Sequence, residues 1–131
     1  MMPDDSLITE ELLQALALRE SSGQPDAVGD QQLRNPAYGM YQVRKPAYLD
    51  VVRLRKDLAN VPFAQVQSDA EMNETFARAY LSVLANEYGL DTLDELLAGY
   101  NAGVGRVKQG NIPESTKRYV EDIKRIMSQR K

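Results

Sequence analysis

Apolar residues recur at helical spacing along most of the chain. In the first such stretch, Leu13, Leu16, Ala17 and Glu20 fall at positions i, i+3, i+4 and i+7, which share one face of a helix. The pattern predicts a helix from about Thr9 to Ser21. The sequence Ser21-Ser22-Gly23 is expected to end it.

Four more helices are predicted downstream. Pro46 suits the first turn of the second helix. Thr92 and Glu95 have the spacing of a capping box for the fourth helix, and Ile112-Pro113 opens the last. The second and third helices are predicted over approximately 46–57 and 70–88. The apolar face of the fourth contains Leu93, Leu96, Leu97 and Tyr100, and that of the last contains Tyr119, Val120, Ile123, Ile126 and Met127.

Two segments are predicted to be irregular. Residues 26–43 are rich in Gly, Asn, Pro and Gln, and within them Tyr38–Val43 is the best strand candidate. Asn101–Gly105 reads as a flexible turn. No internal repeat is visible. The expected fold class is therefore mainly α, with at most a small strand element.

Length and composition favour one compact domain over residues 1–131, because 43% of the chain is hydrophobic. No apolar run reaches the roughly 20 residues of a membrane-spanning helix, so no stable membrane insertion is expected. The N-terminus, Met-Met-Pro-Asp-Asp-Ser, lacks the features of a secretory signal. Either the chain is made without a signal or one has been removed. We expect a monomer.

The absence of two residue types, Cys and His, limits the chemistry that the chain can perform. Without Cys there can be no disulfide, thiol nucleophile or thiolate metal site, and without His the Ser-His-Asp triad and almost every zinc site are excluded. We therefore expect no metal and no cofactor. If the protein is an enzyme, a carboxylate is the leading candidate for its proton chemistry.

The net charge of −3 argues against a nucleic-acid partner held by phosphate contacts. From Arg106 to the end of the sequence, however, there are eight Lys or Arg and only three acidic residues. This basic tail could approach an anionic envelope or DNA. We favour a solvated helix face, because Glu121 and Asp122 interleave with the basic residues at helical spacing.

Glu20 is unusual because it lies on the apolar face of its predicted helix. Partial burial disfavours the carboxylate and is expected to raise its pKa, and the negative end of the helix dipole acts in the same direction. A protonated carboxyl group is what cleavage of a glycosidic bond needs. The competing interpretation is that Glu20 bridges to Arg19 or Arg34 at the helix end.

Five blocks of sequence stand out in order: Glu20-Ser21-Ser22-Gly23 followed by Asp26-Ala27-Val28-Gly29, then Ala37-Tyr38-Gly39-Met40-Tyr41-Gln42, Asp69 with Asn73 and Tyr80-Leu81, Gly99-Tyr100-Asn101-Ala102-Gly103, and Ile112-Pro113 with Thr116 and Tyr119-Val120. Together they resemble the motifs of the soluble lytic transglycosylase (SLT) family. Each block alone is weak, but their order makes the signal strong. The resemblance implies the goose-lysozyme-like variant of the α+β lysozyme-like fold.

The resemblance also implies a reaction. Members of the family cut the β-1,4 bond between N-acetylmuramic acid and N-acetylglucosamine in peptidoglycan glycan strands without adding water. A single Glu, matched here by Glu20, first protonates the leaving oxygen. It then takes the proton of the muramic acid C6 hydroxyl, which closes a 1,6-anhydro ring.

Supporting residues follow from the same resemblance. Tyr100 matches the family tyrosine whose hydroxyl lies near the catalytic Glu, although it also continues an apolar helix face. Residues expected to contact substrate are Ser21, Ser22, Gly39, Met40, Gln42, Asn101 and Tyr119. An amide such as that of Gln42 can hold an acetamido group, and Gly permits close approach of a sugar ring. Ser21 and Ser22 could instead satisfy helix-end carbonyls, and Tyr119 could be core.

The sequence departs from the family at three positions. Lys45 stands where a Pro is usual, Ala77 where a Gly is common, and Ser115 where a Glu is frequent. The last change puts one distal cleft contact in doubt and leaves Glu20 untouched.

Alternatives to a lytic transglycosylase remain open. A hydrolytic muramidase of goose-lysozyme type would use Glu20 with a water positioned by an Asp, for which Asp26, Asp30 and Asp50 are available and Asp30 is favoured. A domain that only grips glycan strands is a third possibility. The expected place of action is the periplasm or cell wall. The setting suits a phage endolysin, a virion-associated lysin or an excised domain of a bacterial enzyme.

Overall fold

The computed structural model describes residues 4–129, and these residues are mainly helical. Their elements in chain order are α1 (Glu10–Ser21), β1 (Val28–Gly29), β2 (Ala37–Tyr38), α2 (Lys45–Leu54), a 3₁₀-helix (Lys56–Leu58), α3 (Phe63–Ser68), α4 (Ala70–Asn86), α5 (Leu93–Ala102), α6 (Val104–Gln109) and α7 (Glu114–Gln129). The expected class, mainly α with a small strand element, is confirmed. The start of the N-terminal stretch and the last two basic residues of the tail lie outside the described residues.

The chain divides into two units. The terminal unit comprises Met1–Arg19 and Leu81–Lys131, and the central unit comprises Glu20–Tyr80. Helices α1 and α4 each contribute residues to both. The prediction of a single domain over residues 1–131 stays a prediction.

In the terminal unit, α5 begins at an N-cap and packs closely against Leu90. The Thr92 hydroxyl accepts the Glu95 N–H at 3.2 Å and donates to the Glu95 carboxylate at 3.1 Å, which confirms the predicted cap. Gly99 is buried within α5, and a Cβ there would lie 2.5 Å from Leu90 Cδ1. The fully buried apolar residues of this unit include Leu12, Leu16, Leu84, Leu96, Leu97 and Ile123.

The central unit contains a two-stranded sheet and a cluster of aromatic rings. Strands β1 and β2 are antiparallel, with Val28 opposite Tyr38 and Gly29 opposite Ala37. The Phe63 ring lies 5.7 Å from that of Tyr38 and 5.0 Å from that of Tyr48. Tyr48 also stacks on Phe76 at 5.5 Å. Such contacts add to the burial of the rings themselves.

Two local predictions were wrong, and one helix was missed. Tyr38–Val43 is not a strand: the chain turns after Tyr38, and the pair forms only an isolated bridge. The predicted turn at Asn101–Gly105 is helical except at Gly103, because α5 continues to Ala102 and α6 starts at Val104. Helix α3 was not predicted at all.

None of the helices formed by residues 4–129 is both long and apolar enough to cross a membrane.

Candidate active site

Glu20 lies in the last turn of α1 and is half-buried, as its place on the apolar face predicts. The next residue, Ser21, is fixed by its side chain: the hydroxyl donates to the Met40 carbonyl at 2.7 Å and accepts the Gln24 N–H at 3.2 Å. Ser22 then adopts a left-handed backbone with φ 57° and is exposed. The hydroxyl of Ser21 thus ties the end of the helix to the segment that follows β2.

That segment, residues 39–42, forms a tight turn closed by Tyr38 and Val43. The two closing residues exchange backbone hydrogen bonds of 3.0 and 2.9 Å. Gly39 has φ 84° and Gln42 has φ 53°, and the Gly39 N–H donates to the Ala27 carbonyl at 2.8 Å. We call residues 39–42 the glycine turn.

The side chain of Asn73, in α4, forms hydrogen bonds with the backbone of the glycine turn and of Tyr38 before it. Its side-chain oxygen accepts the Tyr41 N–H at 3.0 Å, while its amide group donates to the carbonyls of Tyr38 at 2.9 Å and Val66 at 3.0 Å. Asn73 is only 1% exposed, and a Cβ at Gly39 would collide with its side chain. The turn therefore requires both glycine at position 39 and an amide at position 73.

The anchoring role of Asn73 was missed, although the sequence matched it to a family motif. The signal was present, because Asn73 lies on the same face of α4 as Phe76, Ala77 and Tyr80 at helical spacing. A polar residue on such a face must find partners when it is buried.

The side-chain amide nitrogen of Gln42 donates hydrogen bonds to two backbone carbonyls of the central unit. The Nε2 group donates to the carbonyls of Gly39 at 2.9 Å and Ala27 at 3.3 Å. Within residues 4–129, no hydrogen bond to Gln42 Oε1 is found. That oxygen lies so close to Gly29 that a Cβ there would collide with it. The amide oxygen is thus the group that Gln42 can offer a ligand.

Strained backbone is concentrated in this region. Among residues 4–129, the non-glycine residues with positive φ are Ser22, Asp30 and Gln42, at 57°, 56° and 53°. All three belong to the central unit. Such strain clusters at functional sites, where the surrounding contacts hold the residue in place.

The three candidate second carboxylates differ in their surroundings. Asp30 is exposed and forms an ion pair with Arg44, whose guanidinium also donates to the Asn35 carbonyl. Asp50 pairs with Arg53 one turn along α2 at 3.1 Å. Asp26 lies exposed in the loop before β1. The contacts of Asp30 fit a role in fixing this loop.

The remaining predicted site residues belong to the terminal unit. Tyr100 is half-buried on α5, and the next residue, Asn101, accepts a hydrogen bond from Thr116 of α7 at 2.7 Å. Tyr119 of α7 is only 2% exposed. The structure thus joins Asn101 to α7, and its burial of Tyr119 favours a packing role for that ring.

Within residues 4–129, no three His, Cys, Asp or Glu side chains are grouped so that they could hold a metal ion.

Comparisons with known proteins identify the family. The sequence model of the transglycosylase SLT domain matches residues 4–122, which include every residue named above for the candidate site. No curated protein and no solved structure matches the chain. A family match of this length indicates peptidoglycan cleavage of the lytic transglycosylase type and an action on the cell wall. The chain belongs to the transglycosylase SLT domain family.

Proposed function

We propose that the protein is a peptidoglycan lytic transglycosylase that cleaves the β-1,4 bond between N-acetylmuramic acid and N-acetylglucosamine, with Glu20 as general acid and then general base. The observation that carries the proposal is the family match over residues 4–122, which contains Glu20 within the expected Glu-Ser motif. The whole chain serves as one catalytic domain and acts as a monomer.

The reaction proceeds in two proton transfers through one carboxyl group. Glu20 donates its proton to the glycosidic oxygen, which leaves with the N-acetylglucosamine unit as the bond to C1 of muramic acid breaks. The resulting carboxylate accepts the proton of the C6 hydroxyl while O6 bonds to C1. The 1,6-anhydro ring is closed, Glu20 is protonated again, and no water is consumed.

The surroundings of Glu20 support this role. The side chain is half-buried at the carboxyl end of α1, so its carboxyl group is partly screened from solvent. The hydroxyl of Ser21 binds the Met40 carbonyl, which restricts the backbone that carries Glu20. A general acid must be held at a defined position to transfer its proton efficiently.

The other proposed contacts follow the family motifs. Tyr100 assists Glu20, and substrate is held by the glycine turn through Gly39, Met40 and Gln42. Gln42 is proposed to accept the acetamido N–H through Oε1, since Nε2 already donates to two backbone carbonyls. Ser21, Ser22 and Asn101 complete the proposed set of substrate-binding residues, whereas Tyr119, only 2% exposed, is assigned a packing role instead of the substrate contact expected from the resemblance.

Replacement of Glu20 tests the proposal. Glu20→Gln keeps the shape of the side chain but removes the proton that is transferred, so clearing of purified sacculi should fall by at least about 100-fold. Glu11→Gln, in the first turn of the same helix, is the control and should retain full activity. Unchanged lysis by Glu20→Gln would refute the mechanism. A wild-type protein that binds sacculi without cutting them would leave a glycan-binding domain.

A further inference from the structure

Arg19 precedes Glu20 in the last turn of α1, and its side chain contacts α7. Its Nε donates to the Asp122 carboxylate at 3.1 Å, and its guanidinium carbon lies 5.2 Å from the centre of the Tyr119 ring. Tyr119 and Asp122 are three residues apart on α7 and therefore share a helix face. The ion pair and the cation–π contact act on one planar group, which fixes its orientation as well as its position.

This arrangement matters because of where Arg19 stands in the chain. The last turn of a helix has carbonyl groups without intrahelical partners and frays readily. Here the residues on both sides of Glu20 are held by side-chain contacts: Arg19 by α7, and Ser21 by the Met40 carbonyl. The backbone of Glu20 is therefore constrained from both neighbouring residues.

Stability alone does not account for the contact. The side chains of Arg19 and Asp122 are 39% and 30% exposed, and ion pairs in such surroundings contribute little to the free energy of folding because water and salt screen them. An orientation effect, in contrast, requires little binding energy. A displacement of about 1 Å in a catalytic group can lower a rate roughly 100-fold.

We propose that Arg19 is a positioning residue for Glu20 and that Tyr119 and Asp122 form its seat on α7. The proposal rests on the catalytic role proposed for Glu20. Loss of the seat leaves substrate binding intact but lets the end of α1 move, so that the carboxyl group of Glu20 spends less time where it can transfer a proton. In this account, Tyr119 acts through Arg19 as well as through the core.

Steady-state kinetics on soluble peptidoglycan fragments test the proposal. Asp122→Ala and Arg19→Gln should each lower kcat roughly tenfold while KM changes less than about twofold, because the lost contact affects orientation rather than binding. Arg19→Lys keeps the charge but loses the flat group that stacks on Tyr119, so it should restore only part of kcat. The double variant should lose no more kcat than either single variant, since both break the contact between Arg19 and Asp122. Asp122→Ala also breaks the exposed pair with Arg125, but that pair lies within α7.

The matched control is Lys124→Gln. Lys124 of α7 also forms an exposed ion pair with another helix, binding Asp94 of α5 rather than a residue of α1, at 3.0 Å. Its loss should leave kcat unchanged. Raising the salt concentration should lower the kcat of the wild type towards that of Asp122→Ala, whose own kcat should not respond.

The outcomes separate this proposal from the proposed function. Wild-type kcat in Asp122→Ala and Arg19→Gln, with Glu20→Gln inactive, would overturn the positioning role and leave the function standing. The positioning role would also be overturned if Asp122→Ala and Arg19→Gln had both a lower kcat and a lower melting temperature than Lys124→Gln, and if Arg19→Lys restored neither. That result would assign the contact to folding. Full activity in Glu20→Gln would refute the proposed function itself.

Discussion

The buried side chain of Asn73 accepts the Tyr41 N–H at 3.0 Å and so replaces a backbone partner that the glycine turn lacks. Asn73→Ala would remove the bonds that Asn73 makes to this N–H and to the Val66 carbonyl, whereas the Tyr38 carbonyl would keep its bond from the Val43 N–H. Because unsatisfied buried groups are costly, we expect a loss of about 3 kcal/mol in the free energy of unfolding, measured with urea. Asn60→Ala, at an exposed position, should change it by less than about 0.5 kcal/mol. Equal stabilities would contradict the anchoring role.

Gly39→Ala should be more damaging than backbone strain alone predicts. Gly39 and Gly110 have φ of 84° and 68°, but only at Gly39 would the added Cβ collide with a side chain, that of Asn73. Gly110→Ala should cost about 1 kcal/mol for its left-handed backbone. Gly39→Ala should cost at least about 2 kcal/mol more, because Asn73 must move and break its hydrogen bonds. Similar losses in thermal unfolding of the two variants would show that the turn tolerates a side chain at position 39.

The ion pairs of Asp122 predict a pH dependence of stability. The hydrogen bond from Arg125, together with that from Arg19, holds the pKa of Asp122 below its ordinary value of 3.8. A lowered pKa in the folded state stabilises the protein above the ordinary value, and this contribution is lost as the pH falls through the lowered pKa. Because both ion pairs are exposed, the effect is small: the melting temperature of Asp122→Asn should lie only slightly below that of the wild type near neutral pH, with the gap closing as the pH falls below 3.8. A difference in melting temperature that grows as the pH falls would contradict this prediction.

The contact between Thr116 and Asn101 separates two roles for Asn101. Thr116 is 2% exposed and donates to Asn101 at 2.7 Å, so Thr116→Val should lower the free energy of unfolding by about 1 kcal/mol. Asn101→Ala should cause a similar loss and, if Asn101 binds the sugar, should also raise KM. Thr116→Val leaves the Asn101 side chain in place and should raise KM less. Equal KM values would limit Asn101 to its bond with Thr116.

Much of the helical framework was predictable because it depends on local pattern. Helices α1, α4, α5 and α7 follow from apolar spacing and from caps such as Thr92, whose side-chain bond to the Glu95 N–H is present. The partial burial of Glu20 followed from the same periodicity.

The errors occurred where structure depends on distant contacts or on few residues. Helices α3 and α6 have six residues each, too few to show an amphipathic repeat, and the glycines around Val104 are typical of a turn. The glycine turn was taken for a strand because its geometry depends on Asn73, which lies more than thirty residues away in the sequence. For the same reason, no local pattern could reveal that Arg19 is seated on α7.

The most direct measurement of the central claim is mass spectrometry of sacculi digested in heavy-oxygen water. A transglycosylase that uses Glu20 as acid and base should release muropeptides with 1,6-anhydro ends, lighter by one water than hydrolytic products and free of heavy oxygen. Glu20→Gln should release none. Reducing muramic acid ends that carry heavy oxygen would contradict the account and identify the protein as a hydrolase.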